Sequence, residues 1–236
     1  RSEGAVPGIQ LGHGGRKASH APTFNKSGMQ PLLPLTKEQG AWEVIGASPI
    51  PFDETYPVPR EMTQEDINEV LNAYKEAAER AITAGFEWIE IHAAHGYLPH
   101  CFYSPLSNIR QDKYGGNFNN RVRFTREIAS TVRNCIPEDK VLAFRLSHTD
   151  WVEGGWTTEE TVKLAKLLKQ DGVDLIDVSS GGSTAKTVPL MRQLQHDQVG
   201  KIPGKDDPVA EIPIGPGYQV PGAHAVRAGA EIPVAA

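Results

Sequence analysis

The sequence predicts an α/β fold in which parallel strands alternate with helices, and three observations predict it. Short apolar runs recur along the chain, segments of helical period separate them, and most of those segments carry recognisable start and stop signals. The first run, residues 8–11 (GIQL), reads as a short strand, followed by a segment rich in Gly, Pro and Ser that reaches Met62. Thr63 is then a good N-cap, and Glu65 and Asp66 put negative charge in the first turn, where the helix dipole favours it. Ile67, Val70, Leu71, Tyr74, Ala77, Ala78, Ala81 and Ile82 follow at helical spacing, and Gly85 stops the helix. The next strand, residues 86–91, reads as buried throughout and ends beside His92 and His95.

The unit repeats. A helix is expected over residues 120–135 and a strand over 140–146 (KVLAFRL). Thr157 to Glu160 has capping-box spacing, with Val162, Ala165 and Leu168 on the inner face of the helix behind it. Gly172 closes that helix, and residues 173–178 (VDLIDV) form another strand. Residues 181–217 read as a long irregular loop. Within it, the charged, Pro- and Gly-bearing stretch 191–211 reads as a surface insertion. A short helix near 220–228 and an apolar run at 232–235 complete the pattern.

Strands and helices alternating at these lengths imply right-handed βαβ units. An open doubly wound sheet and a TIM (β/α)8 barrel both satisfy that. The glycine-rich turn expected of a dinucleotide-binding sheet is missing: Gly12-His-Gly-Gly15 does not match it, and no helix follows closely. Polar residues instead gather at the C-terminal ends of strands (Gln10, His92, His95, Arg145, Ser179 and Ser180), where a barrel builds its site. The barrel is favoured. About five strands are counted where a closed barrel has eight, so residues 1–236 read as a single, partial barrel domain whose first and last strands are expected outside this sequence.

Lysine and arginine total 24 against 29 acidic residues, a net charge of −5, spread along the chain without blocks. That pattern argues against nucleic acid or an anionic membrane as partner. Cys101 and Cys135 show neither CxxC nor metal-ligand spacing, which fits a reducing compartment. No run approaches 18 apolar residues and no secretion signal is evident, so a cytoplasmic protein is expected.

Several motifs stand in order. Residues 8–17 read GIQLGHGGRK, and residues 90–98 read EIHAAHGYL. Ser104-Pro-Leu-Ser-Asn108 is followed by Arg110, Asp112 and Tyr114-Gly-Gly116, then Asn120-Arg121 and Arg123-Phe124. Phe144-Arg145-Leu-Ser147, Asp177-Val-Ser-Ser-Gly181 and Pro216-Gly-Tyr-Gln-Val220 complete the series. Together they resemble the old yellow enzyme family of FMN-dependent ene-reductases, in particular the subgroup of NADPH dehydrogenases and xenobiotic reductases. Two positions depart from the family pattern: Cys101 stands where a glutamate is usual, and Asn119 stands in place of the glutamate of "ENR". The family's FMN-phosphate loops have no counterpart in this sequence.

The resemblance implies an NAD(P)H oxidoreductase that uses FMN, with NADPH or NADH as reductant, and reduces the C=C bond of an α,β-unsaturated carbonyl compound. It implies that His92 and His95 hydrogen-bond the substrate carbonyl oxygen. Donors preorganised there stabilise the enolate that forms when hydride adds at the β-carbon. Two histidines three apart also suit a metal, which leaves a barrel metal hydrolase as a weak alternative; no nearby carboxylate or cysteine completes such a set. Tyr97 is a candidate proton donor to the α-carbon, or a rim aromatic with its hydroxyl in water. By resemblance Arg145 lies at the flavin N1/C2 carbonyl edge, where a cation favours negative charge on the ring; the alternative is a structural ion pair. Gln10 is carried over as a partner of the flavin pyrimidine ring, or else it satisfies backbone at a strand end. Arg110, Asp112 and Arg121 are expected to knot the loop after the histidines. His13, Arg16 and Lys17 either approach the nicotinamide or form a solvated basic loop. A homo-oligomer is compatible with the resemblance, and an inert barrel fragment without flavin is the competing outcome.

Overall fold

The computed structural model describes residues 3–21, 24, 25, 28, 29, 33–185 and 216–236. Five strands form one parallel sheet in strict chain order: β1 (Gly8–Leu11), β2 (Trp88–Ala93), β3 (Val141–Ser147), β4 (Leu175–Ser179) and β5 (Val234–Ala235). A doubly wound sheet reverses its strand order part-way; this one does not, which is the arrangement of a barrel wall. Each strand pairs in parallel with the next, so each connection is a crossover.

The crossovers carry helices α1 (Gln64–Thr83), α2 (Leu98–Tyr103), α3 (Phe118–Arg121), α4 (Arg123–Cys135), α5 (Thr158–Gln170) and α6 (Val220–Ala230). The two expected caps form: Thr63 Oγ1 accepts from Asp66 N–H, and Thr157 Oγ1 accepts from Glu160 N–H. Ile67, Val70, Tyr74, Ala78 and Ala81 are the buried stripe of α1, as their spacing predicts. On α5 the buried stripe is Thr161, Leu164, Ala165 and Leu168, which moves Val162 to its margin. Neighbouring helices pack in the order α1, α4, α5, α6 against one face of the sheet. That face presents Ile89, Ile91, Leu142, Phe144, Leu146, Ile176 and Val178, all buried.

The sequence reading needs correction in places. The strand expected at 86–91 starts at Trp88 and runs on through His92, and it is not buried throughout: Trp88 and Glu90 are half-buried, while Ile89 and Ile91 are fully covered. The helix expected at 120–135 is two pieces meeting at Val122, the first capped by Asn117. The stretch up to Met62 is not featureless. It holds a parallel bridge between Ile45–Gly46 and Arg60–Glu61, and an antiparallel one between Phe24–Asn25 and Gly28–Met29. The insertion expected at 191–211 lies outside the described residues.

Candidate active site

Because side chains alternate across a strand, the register decides which residues share the face away from the helices. Gln10 pairs with Glu90, and His92 pairs with Arg145, which pairs with Asp177. Adjacent strands lie about 4.8 Å apart, so these residues form two polar rows across the sheet. Gln10 Nε2 donates to Glu90 Oε1 at 2.6 Å. Arg145 Nε lies 3.4 Å from Asp177 Oδ2, so the ion pair weighed from sequence is present. Both groups are partly exposed, and such pairs contribute at most about 1 kcal/mol. Burial pushes the Glu90 carboxyl upward, against the hydrogen bond from Gln10, and the nearby Asp177 charge adds to the rise.

At the C-terminal end of β2 the two histidines meet. His92 is 9% exposed, and its ring stands 5.1 Å from that of His95 in an edge-on arrangement. Ala94 N–H donates to His92 Nδ1 at 3.3 Å, so the His92 proton sits on Nε2 and points at His95 Nδ1, also 3.3 Å away. His95 is thereby left to donate from Nε2 to Ser179 Oγ at 2.6 Å. Tyr97 caps α2 without a side-chain hydrogen bond to the helix, and its ring packs 4.6 Å from that of His92. The tyrosine is half-buried, with its ring against the histidine.

Burial is the main cause that lowers both imidazoles, with the Arg145 charge adding to it; His95 is lowered also by His92. His92 falls from 6.5 to about 4 and His95 to about 3, so both rings are uncharged at neutral pH. The linkage has a definite sign. Below pH 6.5 the unfolded chain takes up protons that the folded chain refuses, so stability is full above that pH and falls as pH drops toward 4. The slope is up to about 1.4 kcal/mol per pH unit for each histidine. Urea midpoints at about pH 7 and about pH 5 should differ more in the wild type than in the His92→Asn/His95→Asn double variant. An equal difference in the two proteins would refute this origin.

The structure thus brings His92, His95, Tyr97 and Arg145 together at one end of the sheet, with Gln10 one row away. Sequence reasoning missed Glu90 and Asp177, the partners of Gln10 and Arg145, although a charge alternating with His92 or Ser179 inside an apolar strand was a usable signal. It also missed a buried network beneath the histidines. Gly96 N–H donates to His100 Nδ1 at 2.9 Å, and His100 Nε2 donates to Asp150 Oδ1 at 3.0 Å. Ser104 Oγ and Trp156 N–H meet Asp150 Oδ2 at 2.6 and 2.9 Å. Burial pushes the Asp150 carboxyl up, but His100 and these hydrogen bonds outweigh it and hold the group below the usual carboxylate range.

The loop after the histidines is knotted as expected. Arg110 pairs with Asp112 at 2.6 Å and donates to Ala47 O and Met62 O, while Arg121 reaches Glu160, Tyr103 O and Gly116 O. The solvated basic loop does not form: Arg16 is buried, Lys17 is half-buried, and both donate to backbone carbonyls. Among the described residues, no three His, Cys, Asp or Glu side chains are grouped to hold a metal ion, and no helix is long and apolar enough to cross a membrane.

Residues 1–202 match the NADH:flavin oxidoreductase / NADH oxidase family. The chain belongs to this family. Its members are FMN-dependent oxidoreductases with NAD(P)H as reductant. An NADH:flavin oxidoreductase of Gibberella zeae is 46% identical over 197 residues, covering 76% of this chain and 46% of that protein. An NADPH dehydrogenase of Geobacillus thermodenitrificans is 41% identical over 236 residues, covering all of this chain and 56% of its own. The chain spans about half the length of the curated relatives it matches. Among solved structures, a 2-naphthoyl-CoA reductase in complex with 2-naphthoyl-CoA superposes with a TM-score of 0.70 at 28% identity, covering 99% of this chain and 32% of that one. The structural relatives are TIM barrels, and the five parallel strands are part of such a barrel.

Proposed function

We propose that this chain carries the substrate grip of an FMN-dependent NAD(P)H oxidoreductase that reduces the activated C=C bond of α,β-unsaturated carbonyl compounds. The observation that carries the reading is the pair of uncharged imidazoles in contact at the end of β2, beside Arg145. The residues present suit the flavin's pyrimidine edge. Arg145 Nε faces Asp177 at 3.4 Å without forming a hydrogen bond to it, and the Gln10 amide still has a carbonyl oxygen and a second N–H to offer after bonding Glu90. Gln10 and Arg145 would hold that edge. When bound, FMN supplies the hydride.

The protein's own work is then at the substrate oxygen. The 3.3 Å contact between the rings is long for a hydrogen bond, so a ligand carbonyl can displace it and accept the His92 Nε2 proton. His95, turned from Ser179, supplies the second donor. Both donors are strongest in effect when charge builds on that oxygen. Tyr97, its ring tilted against that of His92, is the candidate donor of a proton to the α-carbon.

The purified 236-residue chain incubated with FMN and then desalted should be yellow. It should bleach with NADPH without oxygen and recover colour on addition of cyclohexenone. A chain left colourless by this treatment would defeat the reading and favour an inert barrel fragment.

A further inference from the structure

Three features of one loop junction call for a common cause. His95 holds a left-handed backbone conformation (φ 59), which a residue with a Cβ adopts only under constraint. The His95–Gly96 turn lies directly on Gly182: a Cβ on Gly96 would strike the Gly182 carbonyl oxygen, and one on Gly182 would come within 2.5 Å of His95 Cα. The carbonyl oxygens of His95 and Gly182 point to one place, and two such dipoles side by side repel each other. The Lys17 ammonium fills that place, donating to His95 O at 2.7 Å and to Gly182 O at 2.6 Å, with the Phe52 ring face 3.9 Å beneath it. An ammonium has three donors and no acceptor, so it suits paired carbonyls over an aromatic face.

We propose that Lys17 is a positioning residue for His95: its ammonium locks the His95 and Gly182 carbonyls together and so fixes the backbone from which the His95 ring reaches Ser179 and His92. The use made of that position rests on the reading of His95 as a carbonyl-oxygen donor, but the position itself does not. Ser147 supports the same turn, its Oγ accepting from His95 N–H at 3.0 Å and donating to Gly181 O at 2.8 Å. The histidine loop is thus fastened to the loop after β4 by one cation and one hydroxyl.

Amide hydrogen exchange on the full chain, labelled with nitrogen-15, tests this in Lys17→Met and Lys17→Arg. Lys17→Met should speed exchange at the His95 and Gly96 amides by about tenfold or more, as losing one charged hydrogen bond does. The core amides of Ile91 and Phe144 should stay as in the wild type. Lys17→Arg, which can span two carbonyls, should restore most of the protection. Unchanged exchange at His95 in Lys17→Met would overturn the proposal, and so would an equal rise at Ile91 and Phe144. Should Lys17→Met fail to fold, Phe52→Ala removes only the ring under the ammonium; a smaller rise confined to His95 and Gly96 supports the proposal, and no rise overturns it. The functional reading is checked separately by adding cyclohexenone to the FMN-loaded wild type. No shift at the His95 ring nitrogens would sink the carbonyl-donor role while leaving the Lys17 effect on the amides intact.

Discussion

His92→Ala is expected to slow reduction of cyclohexenone by the FMN-loaded protein by about 10²–10³-fold, the loss that follows removal of one donor to a developing oxyanion. The effect should fall on one half of the cycle. In the half driven by NADPH, hydride leaves a ring that becomes a cation and no enolate oxygen forms, so it should change much less, and re-oxidation by molecular oxygen should survive. Stopped-flow records of colour loss with NADPH and colour return with cyclohexenone separate the two. His95→Ala should behave similarly, and the double variant should lose less than the product of the two, because the rings are in contact and act as a unit. A His92→Ala protein that returns colour at the wild-type rate would end the proposed role of the pair.

The second large effect is on folding. Asp150→Ala should cost at least about 3 kcal/mol, because the fully buried carboxylate is the acceptor for His100 Nε2, Ser104 Oγ and Trp156 N–H, and each buried donor left alone costs about 1–3 kcal/mol. Asp150→Asn keeps the volume and one acceptor oxygen but turns an NH2 group toward a donor, so its loss should be intermediate. Urea unfolding measures both: the midpoint should fall while the slope against denaturant stays constant. A loss under about 1 kcal/mol in Asp150→Ala would mean that water replaces the carboxylate at little cost. The network also carries Gly96 through His100 Nδ1, so the same change should loosen the turn that bears His95.

Much of the architecture was legible because its signals are local. Thr63 and Thr157 announce helix starts through chemistry confined to one turn, and the apolar runs of β2, β3 and β4 lie where short-range pattern puts them, give or take two residues. The helix α2 escaped notice because six residues are too few to show a period, and Pro99 at its start looks equally like a turn signal. At the site, residue types and strand ends pointed to His92, His95, Arg145 and Gln10, and the structure gathers them at one face. Their partners were not legible. Asp177 meets Arg145 only through the register of two strands, and Lys17 meets His95 and Gly182 across 78 and 165 residues of chain. Such contacts depend on how crossovers bring distant loops together, and a local pattern carries no record of that.

The strict chain order of the five strands has a consequence for how the molecule is put together and changed. No strand has to be wedged between two already paired ones, so each crossover adds its strand at the growing margin, and assembly can advance by neighbouring steps with modest loop-closure entropy. The imidazole, guanidinium and carboxylate of His92, Arg145 and Asp177 are spaced by two successive crossovers alone. A distant unit of the wall could be exchanged for one of another lineage and that spacing would persist, which makes the trio a portable cassette.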